Sequence, residues 1–91
     1  MSSAIIDGAS IRSQDDLHDV LSEVLELPDY YGRNLDALWD CLTGWIDPPV
    51  EVVWREFALS RERLGAYADK TLEVLQRATG EVEGFTVRVE E

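Results

Sequence analysis

Three short apolar segments lie far apart in the chain, over residues 3–7, 50–54 and 85–89, and their spacing is the strongest constraint on the fold. Each segment has the length and residue content of a β-strand, and segments with helical periodicity fill the intervals between them. Strands separated by helices pair in parallel through right-handed crossovers. The spacing therefore predicts an α/β fold in which helices pack on a small three-stranded parallel sheet.

Start and stop signals divide the two intervals into helices. Ser13 and Asn34 are strong N-caps that each precede an apolar helical pattern, and proline ends both patterns, at Pro28 and in the Asp-Pro-Pro sequence of residues 47–49. The other predicted elements are a short helical connector over residues 55–64 and a last helix over residues 66–79, which Gly80 can end. The sequence leaves open whether the Pro-Pro segment contains a cis peptide.

Length and composition indicate one ordered domain spanning residues 1–91. Hydrophobic residues make up 45% of the chain and charged residues 30%, so the chain can bury a core and disorder is not expected. The net charge of -11 would repel a phosphate backbone, which argues against direct binding of nucleic acid. The same charge attracts basic proteins, although it can equally serve solubility alone.

A single cysteine, Cys41, excludes an internal disulfide and a cysteine-based metal cluster, which fits a reducing compartment. The N-terminal segment has neither the basic nor the apolar region of an export signal, and no later stretch has the length of a membrane span. We therefore expect a cytoplasmic protein that uses no metal or cofactor and does not bind membranes.

Catalysis is not expected, because the chain offers one histidine, His18, and one cysteine as a nucleophile and base pair. His18 lies beside the apolar stripe of the first helix and is predicted at the core boundary, while Cys41 is predicted to be a small buried hydrophobe. Asp36 and Asp40 without a third ligand nearby are weak grounds for a metal site.

The segment from Tyr30 to Trp45 carries the candidate functional residues. On a helical wheel, the stripe predicted to face the core comprises Leu35, Leu38, Leu42 and Trp45, with Cys41 at its flank. The opposite face carries Asp36, Asp40 and Thr43, with Trp39 on the shoulder between the two faces. The two aspartates form a like-charge pair at i,i+4, which costs the helix about a few tenths of a kcal/mol.

Two interpretations of this segment stay open. Charges on a solvated helix face are common in soluble proteins, and tyrosines in a loop often only anchor it to the core. However, Tyr30, Tyr31 and Asn34 adjoin the aspartate face in the sequence, and aromatic anchors beside fixed anionic groups are typical of a binding hot spot. Their co-location favours a binding surface.

The sequence LPDYYGRNLDALWDCLTGW closely resembles a segment of the barstar family, the intracellular inhibitors of the bacterial ribonuclease barnase. The sequences IRSQDDLH and WREF elsewhere in the chain match in type and spacing, so the resemblance covers most of the chain. It implies a barstar-like α/β domain with a three-stranded parallel sheet. It also implies a 1:1 complex with a basic, extracellular, guanyl-specific microbial ribonuclease.

The resemblance further implies that the second helix and the loop before it enter the active-site cleft of the ribonuclease. The residues expected to bind the partner are Tyr30, Tyr31, Gly32, Asn34, Asp36, Trp39, Asp40, Thr43, Gly44 and Trp45. Asp40 is expected to take the place of a substrate phosphate through charge-assisted hydrogen bonds, and Asp36 to pair with a second cation. Tyr30 would cover the catalytic histidine, and Gly32 would allow a close backbone approach or a positive φ.

Arg77 in the last helix departs from the family pattern. It occupies a position where the best-known member has an acidic contact residue, and Glu73 and Glu81 lie one turn away on either side. This departure keeps an alternative open, in which the chain is a barstar-like acidic module for a different basic protein or nuclease toxin.

Overall fold

The computed structural model describes residues 2–91, which fold around one parallel sheet. The strands are β1 (Ser2–Asp7), β2 (Val50–Arg55) and β3 (Phe85–Val89). They lie in the order β1-β2-β3, and both neighbouring pairs are parallel, with Val52 aligned to Ala4 on one side and to Val87 on the other. The predicted three-stranded parallel sheet is confirmed.

The helices are α1 (Gln14–Val24), α2 (Leu35–Gly44), α3 (Phe57–Leu64) and α4 (Ala66–Glu81), and a short 3-10 turn covers Gly8–Ser10. The two predicted N-caps are confirmed. Ser13 Oγ accepts a hydrogen bond from the backbone N–H of Asp16 at 3.1 Å, and Asn34 Oδ1 accepts one from that of Ala37 at 2.7 Å. The Pro48–Pro49 peptide is cis. Within residues 2–91, no helix combines the length and hydrophobicity needed to cross a lipid bilayer.

Helix α4 continues through Gly80, so the prediction that this glycine ends the helix is wrong. Gly80 is exposed, and a Cβ built there would contact nothing within 4 Å. The backbone N–H of Val82 still donates to the carbonyl of Ala78 at 2.9 Å, and the partly buried Val82 side chain packs against the core. This packing carries the helix past a residue whose local preference would end it.

One face of the sheet packs against the helices and builds the core. Along β1, Ala4 and Ile6 are buried on this face, whereas Ile5 on the opposite face is 37% exposed. β3 alternates in the same way, with Phe85 buried and Arg88 exposed, which confirms the prediction of a strand with one exposed face. Each large apolar side chain that is fully buried contributes about 1.5–3 kcal/mol relative to exposure.

Helix α2 packs mainly against α4. Its residues Leu38 and Leu42 are fully buried in the common core. The core therefore fixes the orientation of α2 and turns its other face to solvent.

Candidate functional site

The exposed face of α2 is the one that the helical wheel predicts. Asp36, Asp40 and Thr43 are exposed, Leu35 and Trp39 are half-buried, and Cys41 is buried as expected. Asn34 ties the start of the helix to the preceding loop, because its Nδ2 donates to the carbonyl of Gly32 at 3.2 Å while its Oδ1 caps the helix. The two aspartates are thus held on a rigid scaffold.

The C-terminal end of α2 is exposed to solvent and has little side-chain bulk. Gly44 is exposed, and a Cβ added there would contact nothing within 4 Å. The Thr43 hydroxyl donates to the carbonyl of Trp39 at 2.8 Å, so its proton is used within the helix and its lone pairs remain available to accept.

Trp45 lies at the surface, so the prediction that it continues the core stripe is wrong. The helix ends at Gly44, and Ile46, not Trp45, packs against the core. Trp45 is 48% exposed, and its indole N–H donates to the carbonyl of Glu26 at 3.0 Å. Its ring meets that of Tyr30, itself 77% exposed, edge to face with centroids 6.0 Å apart. The two residues form an exposed aromatic pair beside the helix end.

Arg33 holds the loop before α2, and no sequence pattern singles it out. Its guanidinium donates to the Asp19 carboxylate at 2.8 Å and to the carbonyl of Asp15 at 3.0 Å. Gly32 is expected to allow either a close backbone approach or a positive φ. The positive φ of the loop lies at Arg33, at 55°, and not at Gly32, so the expectation of a positive φ is wrong. A Cβ on Gly32 would lie 3.1 Å from that of Ala37, which is tighter than ordinary contact, so the absence of a side chain at Gly32 suits the packing of this loop on α2. The close backbone approach to a partner stays a prediction.

A buried cluster anchors the same loop from inside. The Tyr31 hydroxyl lies 2.7 Å from Nδ1 of His18, and Nε2 of His18 lies 2.7 Å from the hydroxyl of Tyr67. Tyr31 is only 7% exposed, so its side chain supports the surface and is not part of it. His18 is 2% exposed, and the prediction that it lies at the core boundary is wrong. Hydroxyls from two other segments satisfy both ring nitrogens, and the periodicity of α1 contains no sign of them.

Burial keeps this cluster uncharged at neutral pH. Desolvation lowers the pKa of His18 from 6.5, and the positive charge of Arg33 adds to the effect. Desolvation also raises the pKa of Tyr31 and of Tyr67 above the usual 10.0. Neutral His18 donates through one ring nitrogen and accepts at the other, so both hydroxyls can bond to it without a buried charge.

A groove of about 350 Å³ opens between α2 and α4. It is lined by Leu35, Asp36, Trp39, Asp40, Val74 and Arg77. The guanidinium carbon of Arg77 lies 5.4 Å from the ring centroid of Trp39, within the range of a cation–π contact. The residue that departs from the family pattern therefore lines the same groove as both aspartates.

Two aspartates give this surface groups that can pair with cations. The exposed carboxylates of Asp36 and Asp40 can accept charge-assisted hydrogen bonds from guanidinium or ammonium groups. Nothing within residues 2–91 brings three His, Cys, Asp or Glu side chains together as a metal site. Cys41 is buried, and burial raises the pKa of its thiol, so it is not an activated nucleophile.

Comparison with known proteins identifies a family and a curated relative. The family model described as "Barstar (barnase inhibitor)" matches residues 1–90. A protein of Bacillus subtilis (strain 168) named "Putative ribonuclease inhibitor YrdF" is 54% identical over 82 residues, which cover 90% of each chain. Both matches extend far beyond the segment around α2 and agree with the three-stranded parallel fold. The resemblance inferred from the residues is confirmed, and this chain belongs to the barstar family.

Proposed function

We propose that this chain is an intracellular inhibitor of an extracellular, guanyl-specific microbial ribonuclease and blocks the active site of that enzyme in a 1:1 complex. The observation that carries the proposal is the exposed surface of α2 and its loop, where two carboxylates lie beside an aromatic pair on a rigid helix. The proposed contact residues are Tyr30, Gly32, Asn34, Asp36, Trp39, Asp40, Thr43, Gly44 and Trp45. Tyr31 has a positioning role in this proposal, because its ring is buried.

Inhibition would follow from electrostatic mimicry of the substrate. A cleft that cleaves RNA presents cationic side chains to a phosphate, and Asp40 takes the place of that phosphate through charge-assisted hydrogen bonds. Asp36 pairs with a second cation, and Tyr30 covers the catalytic histidine. The net charge of -11 speeds the encounter with a basic enzyme.

Preorganisation supports the proposal. The Asn34 cap, the Arg33 hydrogen bonds and the Tyr31–His18 contact all fix the loop or helix within the chain itself. Groups that are already ordered lose little conformational entropy on binding, so more of the contact energy contributes to affinity. The proposed place of action is the cytoplasm of the cell that makes the ribonuclease, which suits a chain with one unpaired thiol.

The test is a titration of the protein into an assay of a microbial extracellular guanyl-preferring ribonuclease. We expect complete inhibition at one equivalent, and much weaker inhibition by Asp40→Ala. Glu62→Ala is the matched control, because Glu62 is exposed on α3, away from α2, and its loss changes the net charge by the same amount. The absence of inhibition across several such enzymes would overturn the proposal and favour another basic partner.

A further inference from the structure

Arg77 places a cation in a groove that otherwise presents two carboxylates. We propose that Arg77 is a specificity-determining residue, which selects a ribonuclease with an acidic side chain opposite it, next to the cations that meet Asp36 and Asp40. This inference rests on the proposed function and adds the charge pattern of the partner to it. The partner would therefore present a mixed-charge face and not a uniformly basic one.

The position of the guanidinium is set by a contact within the chain. It lies over the ring of Trp39, 5.4 Å from the centroid. Trp39 is half-buried and packs against the core, so the ring is a fixed platform. A cation–π contact of this kind holds Arg77 where it lines the groove.

Arg77 does not form an ion pair with an acidic residue within residues 2–91. Glu73 and Glu81 lie four residues before and after it on α4, a spacing that commonly allows helix ion pairs. Across residues 2–91, the ion pairs within 4.0 Å join other residues, and none includes Arg77. The side chain is exposed and retains its N–H donors for a carboxylate on another molecule.

This arrangement discriminates between partners by charge. Asp36 and Asp40 attract cations into the groove, whereas a cation opposite Arg77 meets a like charge. Like charges brought together at an interface suppress the wrong partner, and an opposite charge at the same place favours the right one. The best-known family member has an acidic residue at this position, which would suit a basic group on its ribonuclease, barnase. Barnase is therefore a probe whose charge does not match that of Arg77.

The experiment measures the Kd of barnase for the wild-type protein, Arg77→Glu and Lys70→Glu at fixed ionic strength. Lys70 is exposed on the same helix about two turns earlier, about 10 Å along the axis. Its substitution makes the same change in net charge away from the groove, and so controls for long-range attraction. We expect Arg77→Glu to bind barnase about tenfold more tightly than Lys70→Glu, with Arg77→Ala intermediate between wild type and Arg77→Glu.

The outcomes distinguish failure of the inference from failure of the proposed function. Equal affinity of Arg77→Glu and Lys70→Glu, with the wild type still inhibiting, overturns the inference and leaves the proposed function in place. Binding by Arg77→Glu when neither wild type nor Lys70→Glu binds supports it strongly. Failure of all these proteins to bind barnase or any other guanyl-preferring ribonuclease overturns both. Thermal melts of the variants confirm that they are folded.

Discussion

Replacing Asp40 by alanine should separate binding from folding, because the carboxylate serves the proposed interface and opposes the stability of its own helix. Asp40 is exposed at the middle of α2, one turn after Asp36. In the described part of the chain its carboxylate accepts no hydrogen bond and forms no ion pair. Removal of the carboxylate therefore leaves no buried partner unsatisfied.

The change in folding stability can be worked out from this environment. Alanine has a better helix propensity than aspartate by about 0.6 kcal/mol, and loss of the like-charge pair with Asp36 relieves about 0.2–0.5 kcal/mol. The effect of the helix dipole is small at a central position. We expect the free energy of unfolding to rise by about 1 kcal/mol, which raises Tm by about 4–8 °C in a domain of this size.

Binding should change in the opposite direction. Truncation of a central interfacial carboxylate that meets cations costs at least about 2 kcal/mol, which corresponds to a Kd about 30-fold weaker. The assay pairs thermal unfolding of the free protein with ribonuclease inhibition by the same preparation. Glu62→Ala should leave inhibition unchanged. A variant that loses stability, or one that inhibits as well as the wild type, would refute the reasoning.

Other expectations concern the buried cluster and the net charge. Tyr31→Phe removes the hydroxyl that bonds His18, so a urea titration should give a free energy of unfolding about 1–2 kcal/mol lower; an unchanged value would mean that the contact is energetically neutral. Because burial lowers the pKa of His18 from 6.5, the unfolded chain takes up the proton first as pH falls. The contribution of neutral, buried His18 to folding stability is complete above pH 6.5. It is lost as pH falls from there toward the lower pKa of His18 in the folded protein, by at most about 1.4 kcal/mol per pH unit. Urea midpoints of the wild-type protein, measured from pH 6.5 downward, should show this loss of stability. The His18→Gln variant should lack the part of the loss that is due to His18. Stopped-flow association with a basic ribonuclease should slow as salt rises, and an on-rate independent of salt would contradict steering by charge.

Local patterns determined much of the fold and of the site. Ser13 and Asn34 cap their helices with their own side chains, so the start of each helix could be predicted from neighbouring residues. The period of α2 placed Asp36 and Asp40 on the exposed face, and the alternation in β3 predicted one exposed side. These features depend on residues within one or two turns of each other, which is the range over which sequence periodicity carries information.

Contacts between distant segments decided the rest. Trp45 is exposed because the chain turns after Gly44 and its indole bonds to Glu26. His18 is buried because hydroxyls from the loop and α4 reach both ring nitrogens, and Arg77 lines the groove because α4 packs beside Trp39. By itself the sequence determined the sheet, the helix faces and the family, since each follows from local pattern or from a long run of matching residues. Only the tertiary structure decided which side chains meet across segments, because burial and pairing depend on how the helices pack together.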